Sequence, residues 1–155
     1  ETTSSMIRLM KTLDFNNKTV LDMGCGTSVL AILAVLMGAG ETVAIDNDEW
    51  AYRNSLENTE RNKAGHIRVI LGDAATLDSF EEGHFDLILA NINRNILLGD
   101  IPAYARVLRP GGRLLFSGFY TEDRPMILEK CAQFSLDEVR YISLNNWVAL
   151  ETQKK

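Results

Sequence analysis

The sequence is poor in cysteine, which limits both its metal chemistry and its redox setting. Only Cys25 and Cys131 occur among 155 residues, far apart and without the spacing of metal ligands. We therefore expect no metal site and two reduced thiols in a cytoplasmic protein, with a single disulfide as the alternative. The chain also lacks a Ser/His/Asp or Cys/His arrangement that would indicate a nucleophilic enzyme.

Long hydrophobic runs are lacking as well. The longest, Val29 to Met37, falls well short of the ~20 residues that a transmembrane helix needs. The first five residues have neither the basic start nor the apolar centre of a signal peptide. Position 1 is Glu rather than Met, which leaves open that the chain is a fragment of a longer protein.

Basic residues are outnumbered by acidic ones, 16 to 21, and the net charge is -5. No dense run of Lys or Arg is present, so a nucleic-acid substrate is disfavoured. A small molecule or a lysine-rich protein suits the acidic balance better. With 46% hydrophobic and 24% charged residues, residues 1–155 fit one globular domain, for which we favour a monomer.

Strand-like apolar runs alternate with amphipathic helical segments along the whole chain. This order predicts an α/β fold with a doubly wound, mostly parallel seven-stranded sheet between two helix layers. The predicted strands are Thr19–Met23, Thr42–Ile45, Ile67–Leu71, Phe85–Ala90, Arg113–Ser117, Leu136–Ser143 and Trp147–Thr152. The predicted helices are Ser4–Leu13, Ser28–Met37, Asp48–Asn62, Ile96–Leu108 and Asp123–Gln133. The last two strands are too close in sequence for a crossover helix, so they should pair antiparallel.

A glycine-containing turn follows the first strand and opens the first crossover helix. Gly24 and Gly26 would let the backbone approach a ligand closely. Asp22 precedes them, and a carboxylate there repels a pyrophosphate but attracts a cationic amine or sulfonium. The third glycine of a dinucleotide loop falls at Val29, which argues against such a cofactor. The alternative is a tight turn that binds nothing.

Acidic residues also follow the second and third strands. Asp46 can accept hydrogen bonds from both hydroxyls of a ribose. Its alternative role as a helix cap is better filled by Asp48. Asp73 can accept from an adenine amino group, and the backbone N–H beside it at Ala74 can donate to the ring, although acidic residues are also common in turns. Together with the glycine turn, these residues indicate a cofactor that contains adenosine and carries a positive group. S-adenosylmethionine meets this description.

Asn91 follows the fourth strand at the same sheet edge. Its side-chain carbonyl can accept a hydrogen bond from a nucleophilic amine but cannot act as a base. A role as a turn former competes with this interpretation.

The aromatic and histidine side chains receive structural roles. We expect Trp147 to be a core residue, and Trp50 and Tyr52 to pack on their helix, with one of them a candidate for the adenine pocket. His66 and His84 are expected in exposed loops.

These motifs resemble those of class I S-adenosylmethionine-dependent methyltransferases along nearly the whole chain. The matching positions are Asp22-x-Gly24-x-Gly26, Asp46, Gly72-Asp73 and the predicted turn Pro110-Gly111-Gly112. Finer detail resembles one branch, the bacterial ribosomal-protein methyltransferase family PrmA. It lies in Glu1-Thr2-Thr3, Leu21 to Gly26, Ile45-Asp46-Asn47-Asp48, Asn58-x-x-Arg61-Asn62, Ala90-Asn91-Ile92, Leu114 to Gly118, and a Trp in the final strand.

The resemblance implies methylation of amino groups, a lysine or the N-terminal amine, on a large-subunit ribosomal protein. It places the cofactor against Thr3, Gly24, Asp46 and Asn91, with Asn91 nearest the incoming amine. The complete predicted cofactor site is Thr3, Asp22, Gly24, Gly26, Asp46, Asn47, Asp73, Ala74 and Asn91.

Two departures from the family pattern leave alternatives open. The third glycine of the family's loop is Ser28, which is expected to alter the close approach to the cofactor's methionine part. We also expect the family's separate N-terminal docking domain to be absent. Cofactor binding should survive that absence, whereas efficient protein methylation is expected to depend on the docking domain. The alternatives are a methyltransferase for a small molecule or another protein, and a non-catalytic binding module. A dinucleotide oxidoreductase is disfavoured by Asp22 and Val29.

Overall fold

The computed structural model describes all of residues 1–155. The helices are α1 (Thr2–Met10), α2 (Val29–Leu36), α3 (Glu49–Arg61), α4 (Arg94–Val107) and α5 (Arg124–Gln133). The strands are β1 (Val20–Met23), β2 (Thr42–Asp46), β3 (Arg68–Leu71), β4 (Phe85–Asn91), β5 (Leu108–Tyr120), β6 (Leu136–Leu144) and β7 (Trp147–Lys154). Two 3-10 turns, Ala74–Ser79 and Thr121–Asp123, complete the elements. No helix has the length and apolar character that crossing a membrane requires.

The seven strands form one sheet in the order β3-β2-β1-β4-β5-β7-β6. β7 pairs antiparallel with both of its neighbours, and the other pairings are parallel. The predicted seven-stranded sheet with one antiparallel strand is therefore confirmed. The chain moves outward in opposite directions from β1 and from β4, so the switch point lies between these two strands.

Helices cover both faces of the sheet, as the apolar runs of the central strands require. On one face α4 and α5 pack on the larger core, with Tyr104, Ile101 and Ile127 fully buried. On the other face α1 and α2 bury Met6 and Leu30 against the sheet, and α3 packs beside them on β2 and β3. The predicted three-layer arrangement is confirmed.

Two local features differ from the sequence-based expectations. The first helix begins at Thr2, two residues before the predicted start, and Glu1 rather than a serine or threonine occupies its N-cap position; the Ser4 hydroxyl donates to the Glu1 carbonyl at 3.2 Å. The segment Pro110-Gly111-Gly112, predicted as a turn before the fifth strand, instead forms a bulge within β5. Phe85 pairs with Leu108 while Leu87 pairs with Arg113, so the extra residues of β5 bulge out of the ladder.

Candidate active site

The glycine loop after β1 has the left-handed backbone that favours glycine. Gly24 and Gly26 have φ angles of +65° and +57°. A Cβ on Gly24 would lie 2.1 Å from Cγ2 of Ile92, so the loop packs closely against the end of β4. A Cβ on Gly26 would meet nothing within 4 Å. Gly24 therefore fits the loop to the sheet, and Gly26 faces open space.

Asp22 is the buried carboxylate of this loop, with 1% of its surface exposed. One oxygen accepts a hydrogen bond from the N–H of Ala31 in α2, at 3.1 Å. Burial raises the pKa of Asp22 to about 7, against the lowering effect of the Ala31 hydrogen bond, and the nearby charge of Asp46 raises it further. A positive ligand group beside this carboxylate would restore its charged form.

Asp46, at the end of β2, holds the glycine loop in place. Its two carboxylate oxygens accept from the N–H of Gly26 and of Asp48, each at 2.9 Å. The contact with Gly26 joins two motifs that are 20 residues apart and was not predicted. Each oxygen retains a further lone pair, so both can also accept from a ligand hydroxyl.

Two clefts meet at Gly24, on the carboxyl edge of the sheet. The first cleft is lined by Met23, Gly24, Ile45, Asp46, Asn47, Gly72, Asp73, Ala74, Ile92, Ile96 and Asp100. Its apolar walls and its carboxylates suit a flat ring with polar edges. Asp73 also caps the following 3-10 turn by accepting from the N–H of Ala75 at 2.9 Å.

The second cleft lies on the other side of Gly24. It is lined by Thr3, Asp22, Gly24, Cys25, Gly26, Thr27, Val29, Leu30 and Asn91. All nine predicted site residues therefore line one of two adjoining clefts. That they bind a cofactor stays a prediction.

Asn91 ends β4, and neighbouring side chains fix its amide group. Its carbonyl oxygen accepts from the hydroxyl of Ser117 at 2.9 Å, and its amide nitrogen donates to the Thr3 hydroxyl at 3.3 Å. Asn91 and Ser117 are paired in the parallel ladder between β4 and β5. Sequence analysis missed Ser117, although a polar residue that closes the apolar run Leu114–Phe116 was a usable signal.

A third opening, which we call the mouth, adjoins the second cleft at Asn91. It is lined by Glu1, Thr2, Asn91, Ile92, Asn93, Gly118 and Trp147. The prediction that Trp147 is a core residue was wrong, because β7 runs antiparallel and its first residue lies at the carboxyl edge of the parallel strands. The Trp147 ring stacks on Tyr120 with centroids 4.2 Å apart and is half-buried.

Asp100, in the first cleft, is another residue that sequence analysis missed. It projects from α4 into the first cleft, and the hydroxyl of the buried Tyr104 donates to it at 3.2 Å. Burial raises the pKa of Asp100, and the charge of Asp73 adds to the effect. Nothing in the spacing of Asp100 and Tyr104 distinguishes them from an ordinary surface pair on a helix.

Other candidate side chains lie away from the clefts. Trp50 is 73% exposed, so the expectation that it packs was wrong. Neither Trp50 nor Tyr52 lines the first cleft, and an adenine contact by one of them stays a prediction. His66 is exposed as predicted, whereas His84 is half-buried, with Nε2 3.1 Å from the Glu41 carboxylate.

Neither cysteine has the features of a nucleophile. Both are buried free thiols, and burial raises the pKa of Cys25 to about 11 and that of Cys131 to about 12. No group of three His, Cys, Asp or Glu side chains is placed to hold a metal ion.

The sheet order and the clefts at its switch point define a Rossmann-like methyltransferase fold. A solved ribosomal protein L11 methylase from Lactobacillus delbrueckii subsp. bulgaricus shares it with a TM-score of 0.91 and 29% identity, over 99% of this chain and 78% of that one. The chain belongs to the ribosomal protein L11 methyltransferase (PrmA) family, whose family model matches residues 1–155. The predicted family is therefore confirmed.

Curated relatives agree with this assignment. A ribosomal protein L11 methyltransferase of Porphyromonas gingivalis is 52% identical over 153 residues, covering 97% of this chain and 51% of the relative. One of Phocaeicola vulgatus is 48% identical over 151 residues, covering 97% and 53%. The chain thus spans about half the length of the curated relatives that it matches.

Proposed function

We propose that this chain is the catalytic domain of an S-adenosylmethionine-dependent methyltransferase that methylates amino groups of a ribosomal protein. The observation that carries this proposal is the convergence of nine predicted residues on two clefts that meet at Gly24. The first cleft would hold the adenosine, with Asp46 at the ribose and Asp73 at the adenine. The second would hold the methionine part beside Asp22.

The cofactor, when bound, supplies a methyl group on a positively charged sulfur, which is already a strong electrophile. The protein's task is then mainly to hold the attacking nitrogen in line with that methyl group. Asn91 serves this alignment because Ser117 and Thr3 fix its amide, and its carbonyl oxygen has a second lone pair for an amine N–H. A lysine with a pKa of about 10.4 must first lose its proton, and loss to water requires no general base.

The mouth supports an amine as the acceptor. Glu1 lies in its lining, and Glu122 lines a neighbouring cavity that also includes Trp147. These two carboxylates and the rings of Trp147 and Tyr120 suit a cationic side chain. Arg94 lines the same cavity, but its charge is balanced by an ion pair with Asp123. A lysine or N-terminal amine of a ribosomal protein fits this chemistry.

A non-catalytic binding module has less support than the sequence suggested. Its basis was Ser28, but this side chain is fully buried and lines neither cleft. We further propose that the protein acts in the cytoplasm, which the two free thiols support.

Calorimetry with S-adenosylmethionine and NAD tests the cofactor. We expect binding of the first only, and Asp46→Ala should weaken it about 100-fold because ribose hydrogen bonds to a charged group are lost. Asp48→Ala is the matched control, since Asp48 caps α3 but does not line the first cleft. Tight NAD binding without a response to S-adenosylmethionine would end the proposal.

The acceptor is tested separately by methyl transfer from radiolabelled S-adenosylmethionine to ribosomal protein fractions. Labelling of a ribosomal protein, with loss of labelling in Asn91→Ala, is the expected result. Cofactor binding with no labelling of any ribosomal protein would instead favour a different amine acceptor or a non-catalytic role.

A further inference from the structure

Ser28 has a backbone conformation that is unusual for a side-chain-bearing residue. Its φ angle is +65°, in the left-handed region that favours glycine, and it lies just before the first turn of α2. Serine pays a conformational cost there, so a compensating contact is expected. Its side chain is fully buried.

The compensating contact is a chain of two hydroxyl groups. The Ser28 hydroxyl donates to Oγ of Ser55 at 2.8 Å, and the Ser55 hydroxyl donates to the carbonyl of Gly26 at 2.7 Å. Ser55 lies on α3 and is also fully buried. Ser55 Oγ also lies 3.6 Å from Sγ of Cys25, so the Ser28 hydroxyl is the shorter of two polar contacts that orient Ser55 toward the Gly26 carbonyl.

This chain completes a clamp on the glycine loop. Gly26 is held at its N–H by Asp46 and at its carbonyl by Ser55. The next carbonyl, of Thr27, accepts from the Asn58 amide at 3.1 Å. Gly26 and Thr27 line the second cleft, so the clamp sets the shape of the wall that faces the cofactor's methionine part.

We propose that Ser28 and Ser55 are positioning residues that hold the Gly26 carbonyl and so keep the glycine loop in its ligand-ready shape. The inference rests on the proposed function, because the ligand that the loop is held ready to bind is S-adenosylmethionine. It assigns Ser28 a positive role: the hydroxyl supplies by hydrogen bonding the rigidity that a glycine at this position would lack.

The test uses Ser28→Gly and Ser55→Ala, with Ser5→Ala as the matched control. Glycine adopts a positive φ without strain, so Ser28→Gly removes the buried CH2OH group without straining the backbone and should fold. Ser5 is also buried, but its hydroxyl has no hydrogen-bond partner and touches no part of the clamp. Circular dichroism and thermal unfolding establish that each variant is folded at the assay temperature.

Two ligands separate a positioning role from a general loss of stability. S-adenosylhomocysteine carries the amino acid part, whereas 5′-methylthioadenosine has the same adenosine without it. We expect Ser28→Gly and Ser55→Ala to weaken S-adenosylhomocysteine binding about 3- to 10-fold, the usual effect of one hydrogen bond, and 5′-methylthioadenosine binding much less. The double variant should resemble Ser55→Ala, since both hydroxyls act through one carbonyl.

A readout that needs no ligand completes the test. Amide hydrogen exchange at Gly26, whose N–H donates to Asp46, should speed up in both variants and stay unchanged in Ser5→Ala. Native affinity and native exchange in Ser28→Gly would overturn the proposal while the proposed function stands. Failure of the unaltered protein to bind S-adenosylhomocysteine would overturn both, and the two failures are thereby distinguished.

Discussion

Binding of S-adenosylmethionine should release a proton from Asp22. In the free protein burial raises the pKa of this carboxyl to about 7, so it is about half protonated at neutral pH. Asp22 lines the second cleft, which is the proposed location of the cofactor's positive groups. Because these groups favour the carboxylate, the bound protein should hold Asp22 ionised.

The size of the effect follows from linkage between proton and ligand binding. At about pH 7 cofactor binding should release about half a proton, rising toward one near pH 6 and falling toward zero near pH 8. Below about pH 7 the dissociation constant should rise about tenfold per pH unit, which makes binding about 100-fold weaker near pH 5 than near pH 8. The cause is the free energy needed to ionise the buried carboxyl before it can face the ligand.

Calorimetry in buffers of different ionisation enthalpy measures the released protons directly. Asp22→Asn is the control, because asparagine can still accept from the Ala31 N–H but does not titrate. The cofactor's own amino group titrates near pH 8 and contributes equally to both proteins, so the difference between them isolates Asp22. The reasoning would be refuted by equal proton release in the two proteins, or by a dissociation constant that does not change from about pH 5 to 8.

Three further predictions concern stability, each checked by urea denaturation without ligand. Asp22→Asn should stabilise the free protein by up to about 4 kcal/mol near pH 8. The raised pKa of Asp22 destabilises the folded protein only at a pH above the pKa of the same carboxyl in the unfolded chain, so the gain should vanish toward pH 4. A gain that is independent of pH would contradict this explanation. Gly118→Ala should destabilise the protein by about 3 kcal/mol, because the φ angle of Gly118 is +105° and a Cβ there would lie 2.1 Å from the Ile92 carbonyl oxygen. Gly99→Ala on α4 is the control: its Cβ would meet open space, so it should stabilise the protein by about 0.5–1 kcal/mol. Glu151→Ala should cost about 1.5–3 kcal/mol, because two partly exposed arginines lose their hydrogen bonds to a buried carboxylate. A loss below about 1 kcal/mol would show that the arginines find water instead.

The fold was predictable because its signals are local. Strands buried on both faces appear as continuous apolar runs, and the segment Leu87–Ala90 is one of them. The glycine loop and the carboxylates of Asp22 and Asp46 each follow or end such a run. In a parallel sheet the carboxyl ends of the strands meet at one edge, so reading each strand's last residues predicts which side chains converge.

The rest of the site depends on tertiary geometry that local patterns do not contain. Trp147 reaches the mouth because β7 is antiparallel, so the start of that strand, and not its end, lies at the functional edge. Asp100 reaches the first cleft because α4 packs with the face that carries Asp100 toward that cleft. The role of Ser28 depends on Ser55, 27 residues away on another helix. Residues at the carboxyl ends of parallel strands can be predicted from their position in the sequence. Trp147, Asp100 and Ser28 cannot, because their roles depend on how other elements pack.

The two fully buried carboxylates of the sheet show why Asp22 in particular indicates a ligand. Glu151 on β7 is fully buried, and Arg113 and Arg140 both form ion pairs with it, so its charge is balanced within the protein. Asp22 is equally buried but has no ion pair, and a single backbone N–H is its recorded donor. An unbalanced buried carboxylate destabilises the free protein, and its burial raises the pKa of Asp22. We therefore infer that the ligand supplies the missing positive charge, which favours a cationic cofactor over one that carries phosphates.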